Sequence, residues 1–112
     1  MADLDPAGQA PAVAEVREEN GIPVIYLSGE LDITNVGRAR AAIGAAIAGQ
    51  PGRAVLDASG LEYMDSSGIT LMALVAREAQ EVQVRNPTPI VRRLLELTGL
   101  GDILDITDED QP

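Results

Sequence analysis

The chain has 112 residues, enough for one domain with a single core and too few for two. Its 18 acidic residues against 8 basic ones, all Arg, give a formal charge of −10, which opposes direct binding to nucleic acid or insertion at an anionic membrane. With no His, Cys or Lys it cannot build a Ser-His-Asp, Cys-His or Ser-Lys nucleophile, a thiolate or imidazole metal site, or a phosphate loop of the Walker kind.

Carboxylate-only catalysis remains formally open, but two Tyr, no Phe and no Trp cannot line the aromatic groove that carbohydrate chemistry normally uses. An enzymatic role and a cofactor are therefore not expected. The most apolar run, Ile69 to Ala76, falls far short of the ~20 residues of a membrane span, and the acidic start has no signal-peptide pattern. A cytoplasmic protein is expected.

In chain order, residues 1–11 lack apolar periodicity and carry two Pro, and read as a disordered tail. Ala12 to Arg17 and Ile22 to Gly29 are β-rich runs joined through Glu18, Glu19, Asn20 and Gly21, where Asn-Gly supplies the positive φ angles of a tight hairpin turn. Val36, Ile43 and Ile47 fall within about 40° of one another at 100° per residue, predicting an amphipathic helix that ends near Gly49. Pro51 and Gly52 make a turn before a short strand over Ala54 to Asp57.

Met64-Asp65-Ser66-Ser67-Gly68 opens a second helix running to about Glu81. Its core face comprises Gly68, Leu71, Met72, Val75 and Ala79, and Ser67, Thr70 and Leu74 line up on the other side. A strand follows over Val82 to Val84. The third helix has Thr88 as N-cap, Pro89 at its first position, an apolar face of Ile90, Leu94 and Leu97, and Gly99 as its stop. Ile103 to Ile106 adds a last strand or helical turn. Strands alternating with helices predict an α/β domain over residues 12–107, with a mixed sheet of four or five strands and three to four helices. Residues 108–112 form an acidic tail, whose Asp108, Glu109 and Asp110 lack calcium-loop spacing and read as solvated charge.

Ser or Asp where a strand feeds a helix has an ordinary explanation, because such side chains cap free backbone amides and a carboxylate suits the helix's positive end. The wider pattern adds to it. Asp65-Ser66-Ser67-Gly68, preceded by Val55-Leu56-Asp57-Ala58-Ser59-Gly60-Leu61 read as a strand and turn, resembles the signature of STAS domains, the family of anti-sigma factor antagonists. Gly29-Glu30-Leu31-Asp32 resembles the family's post-hairpin motif, and Asn86-Pro87-Thr88-Pro89 through Leu97-Thr98-Gly99-Leu100 its final helix.

The resemblance covers about residues 13 to 106. It implies a partner switch: the unphosphorylated protein binds an anti-sigma factor that is also a serine kinase, and phosphorylation of the motif's second Ser, here Ser67, releases it. A phosphatase would reset the switch. Ser66 would keep a capping role, and Asp32 and Asp65 would border the site. Asp32, just before a helix, could equally serve only the helix dipole. Thr70 departs from the pattern, standing where many members have Gly, and puts a side chain beside the acceptor. The alternative within the same family is an accessory subunit of a lipid-transport or transporter complex.

Overall fold

The computed structural model describes residues 13–48 and 52–108. The tail read over residues 1–11, and all of the acidic tail beyond Asp108, lie outside the described residues, as does Gly49. Five strands, β1 (Ala14–Glu19), β2 (Ile22–Leu31), β3 (Arg53–Met64), β4 (Glu81–Arg85) and β5 (Asp105–Thr107), form one sheet in sequence order. Three helices, α1 (Val36–Ala48), α2 (Ser66–Glu78) and α3 (Pro89–Leu97), and a 3₁₀ turn over Leu100–Asp102 connect them.

The opening hairpin is tighter than the sequence reading made it. Glu18 and Glu19 continue the ladder, Glu19 opposes Ile22, and only Asn20 and Gly21 turn, both at positive φ (54° and 80°) as a type I′ turn requires. Thereafter β2, β3, β4 and β5 run parallel, each beside its predecessor. Right-handed crossovers in one direction across a sheet put every connecting helix on the same face. Consistent with this, Ile43 and Ile47 of α1, Leu71, Met72 and Val75 of α2, and Val91 and Leu95 of α3 share one core with Ile25, Leu27, Leu56 and Val84 of the sheet. Burying each such side chain stabilises the fold by roughly 1.5–3 kcal/mol.

Alternation along the strands sends Val24, Tyr26, Val55, Asp57, Gln83 and Arg85 to the opposite face, away from the described helices. A polar staple crosses it. Arg85 donates from Nε to Asp57 Oδ2 at 2.7 Å, from Nη1 to Glu19 Oε1 at 3.2 Å and from Nη2 to the Tyr26 hydroxyl at 3.1 Å, tying together residues of β1, β2, β3 and β4. Asp57 Oδ1 in turn accepts the Ser59 amide and hydroxyl.

Several elements differ from expectation. The strand expected over Ala54 to Asp57 is twelve residues long, because register shifts opposite Tyr26/Ser28 and Gly29/Glu30 absorb the irregular Ala58-Ser59-Gly60 stretch without ending the pairing. Gly60 fits the first shift, since a Cβ there would lie 3.2 Å from the Leu27 carbonyl oxygen. Helix α2 stops at Glu78, short of Glu81, and β4 starts at Glu81. On α3 the buried residues are Val91 and Leu95, while Ile90 and Leu97 of the expected face are exposed. Thr88 occupies the N-cap position of α3 without capping it; its hydroxyl donates to the Leu61 carbonyl and fastens the helix start to β3. Asp108 is solvent-exposed, as expected, and also ion-pairs with Arg92 of α3.

Candidate functional site: a serine at the mouth of a helix groove

The parallel strands β2 and β3 end together, with Leu31 opposite Met64. The next residue on each is an aspartate, so Asp32 and Asp65 stand side by side at the carboxyl edge of the sheet, where open α/β sheets place their sites. The Asp65 amide donates to the Leu31 carbonyl at 3.1 Å, which fixes the start of α2 relative to the end of β2.

Asp65 is the N-cap of α2. Its backbone is extended, and its Oδ1 accepts the Ser67 amide at 2.8 Å, satisfying one of the amides a helix start leaves without an intrahelical partner. This corrects the expectation that Ser66 is the cap: Ser66 is the first helical residue, and its side chain makes no capping bond. Ser67 sits one residue further on, its backbone held by Asp65 and its hydroxyl making no hydrogen bond to any other described residue. The acceptor candidate is thus rigid in its main chain and free at its nucleophilic oxygen.

Gly68 explains how the helix start comes so close to the sheet. A Cβ at this position would lie 2.8 Å from Met64 Cβ and 3.1 Å from the Leu31 side chain, so only glycine lets α2 settle there. Leu71, Met72, Val75 and Ala79 continue this buried face as the sequence reading has it.

Asp32 is occupied locally. Its Oδ1 accepts the Thr34 amide at 3.0 Å and the Thr34 hydroxyl, its amide donates to Asn35 Oδ1, and its carbonyl takes the Asn35 and Val36 amides, closing the turn that starts α1. The Thr34 hydroxyl and amide bonds hold its carboxyl below the usual range. These bonds organise the loop before α1.

Between α1 and α2 runs a groove of about 340 Å³. Ile33 of the preceding loop, Val36, Gly37 and Arg40 of α1, and Ser66, Ser67, Thr70, Leu71 and Leu74 of α2 line it. Ser67, Thr70 and Leu74 are brought together as expected, with Leu74 half-buried in the groove and Thr70 exposed at its rim. Asp32, Asp65 and Gly68 are beside or beneath the groove and do not line it. Ile33, 71% exposed, was missed by sequence reasoning, as was Arg40, which bridges to Glu78 of α2 at 3.2 Å. Such a surface, apolar with a few polar side chains, suits a protein partner better than bond-making chemistry. Among the described residues no three His, Cys, Asp or Glu side chains converge to hold a metal, and no helix is long and apolar enough to cross a membrane.

A family model described as "Mlab, STAS domain" matches residues 14–105. The anti-sigma F factor antagonist of Lysinibacillus sphaericus is 40% identical over 92 residues, covering 77% of this chain and 79% of that protein. The structure of the anti-sigma factor antagonist SpoIIAA in its unphosphorylated form superposes with a TM-score of 0.75 at 30% identity, covering 88% of this chain and 89% of the other. The Bacillus cell fate determinant SpoIIAA in its phosphorylated form gives 0.69 at 30% identity, over 88% and 92%. With nearly the whole described sheet and its helices inside the match, the chain belongs to the STAS domain family.

Proposed function

We propose that this chain is an anti-sigma factor antagonist, acting by binding and not by catalysis: unphosphorylated, it holds an anti-sigma factor with serine kinase activity against the groove between α1 and α2, and phosphorylation of Ser67 by that kinase releases it. The observation that carries the reading is the position of Ser67, its hydroxyl unengaged in the first turn of α2 at the end of an apolar groove. The relatives named above are antagonists, and one of them has been solved in both unphosphorylated and phosphorylated forms.

Charge makes the switch effective. A phosphate brings about 1.5 to 2 negative charges to a helix N-terminus, which tolerates an anion, so the domain stays folded. At the interface the same group joins the Asp65 carboxylate in a chain already at −10. Desolvating it unpaired against a partner costs several kcal/mol, and ~3 kcal/mol is more than a hundredfold in affinity. A phosphatase acting on Ser67 would restore the binding form.

The test is to incubate the protein with host lysate and ATP, recover the partner and map the phosphate. The reading expects an ATP-dependent serine kinase that leaves as Ser67 is modified. Co-purification with a membrane transport complex, and no phosphate on Ser67, would favour the accessory-subunit role instead.

A further inference from the structure

Helix α3 carries two apolar stripes, and the core uses one. Val91 and Leu95, one turn apart, are fully buried. Ile90, Leu94 and Leu97 make the second: Ile90 is 49% exposed and Leu97 67%, while half-buried Leu94 sits between the stripes and also packs against the core. Spacing of four and then three is the d, a, d pattern of a heptad, the seam along which one helix receives another. A lone exposed leucine needs no explanation. With Ile90 and Leu97 exposed, this second stripe of a nine-residue helix stays open at both ends among the described residues. No residue of α3 lines the groove at Ser67, so the two surfaces are separate.

Charge selects the occupant. Arg93 lies about 60° from Ile90 around the helix, on the solvent flank of the seam, at the heptad position that pairs with charges on a facing helix. Exposed Arg93 makes no ion pair among the described residues, whereas its neighbour Arg92 is engaged by Asp108. A second copy is a poor occupant: a twofold contact presents the same patch from both sides, so antiparallel α3 helices would set Arg93 against its own counterpart between two chains of charge −10. We propose that the Ile90, Leu94 and Leu97 seam docks an amphipathic helix of a partner protein that places a carboxylate against Arg93, and that this contact is independent of the state of Ser67.

The experiment uses two fluorescein-labelled helical peptides of roughly two heptads, both with Leu at a and d, one with Glu and one with Arg at e and g. Each is titrated against the full chain near physiological salt, where charges beyond about 8 Å are screened. Net charge alone favours the Arg peptide. The proposal requires the opposite: the Glu peptide binds about tenfold tighter, Arg93→Glu reverses the order, Leu97→Ala weakens Glu-peptide binding about tenfold, and Ser67→Asp changes nothing. Preference of the wild-type chain for the Arg peptide, no binding of the Glu peptide, Glu-peptide binding indifferent to Leu97→Ala, or self-association in sedimentation that Leu97→Ala abolishes would each overturn it.

Discussion

Asp65 Oδ1 accepts the backbone amide of Ser67 at 2.8 Å, so the residue that caps α2 also holds the candidate phosphoacceptor in place. Removing the cap therefore acts on stability and on the switch together. Asp65→Ala is expected to lower stability by about 1 kcal/mol in urea titration and to slow phosphorylation of Ser67, while Asp65→Asn, which caps as well, stays within a few tenths. Ser66→Ala, with no capping bond to lose, is expected within ±0.5 kcal/mol of wild type.

Gly68 inverts the usual propensity rule. Replacing a helical glycine by alanine normally gains up to about 1 kcal/mol. Here the new methyl meets Met64 Cβ at 2.8 Å and Leu31 at 3.1 Å, both on strand ends that cannot retreat without disturbing the core. Gly68→Ala is expected to destabilise the domain by about 1–2 kcal/mol net, read as a lower urea midpoint at unchanged slope. An increase in stability would show that α2 does not seat on β2 and β3 as described.

Ile33 and Leu74 both line the groove, from different elements. Ile33→Asp puts a charge on a residue already 71% exposed and is expected to leave thermal stability nearly unchanged while weakening anti-sigma binding at least about tenfold. Leu74→Asp is expected to weaken binding further with some loss of stability, because Leu74 is half-buried. Isothermal titration with the recovered partner, alongside melting curves, separates the two effects.

These residues also mark what the sequence could tell. Local signals were legible: Asn20-Gly21 names its turn, the spacing of Val36, Ile43 and Ile47 locates α1, and Gly68, Leu71, Met72, Val75 and Ala79 form the buried face of α2. Where two solutions were locally equivalent, pattern alone chose wrongly. On α3, both Val91 with Leu95 and Ile90 with Leu94 and Leu97 make good stripes, and only docking onto β3 decides between them. Ala58-Ser59-Gly60 reads as a turn until β2 supplies the register shifts that keep it in the sheet. Ser66 and Asp65 are both good caps in isolation, and the Asp65 to Leu31 bond selects Asp65. The groove combines a loop, α1 and α2, and the Asp57–Arg85 pair spans 28 residues, so neither leaves a mark in local spacing.

The Asp57–Arg85 pair sets an acid dependence. Burial alone pushes the Asp57 carboxyl up, but the Ser59 hydroxyl, the Arg85 guanidinium and the Ser59 amide outweigh it and hold it below its ordinary value near about 3.9. A depressed carboxylate contributes stability that is complete above the unfolded value and is lost as pH falls through the folded one. Wild type is thus expected to lose stability below about pH 4. Asp57→Asn costs about 2–3 kcal/mol at pH 7, since Arg85 loses one of its two carboxylates but keeps Glu19. The gap between the two proteins should narrow as pH falls below about 4 in denaturant titrations; a constant gap would mean that charge is not what Asp57 contributes.

The central claim is that phosphate on Ser67 controls partner binding, and the most direct measurement is the affinity of the anti-sigma partner for the unmodified and the Ser67-phosphorylated protein, with the modified residue verified by mass spectrometry. The account expects phosphate on Ser67 alone and an affinity at least about a hundredfold weaker after modification, with Ser67→Ala still binding and Ser67→Asp intermediate. Phosphate found only on Ser66 or Thr70, or a Ser67-phosphorylated protein that binds as tightly as the unmodified one, would contradict it.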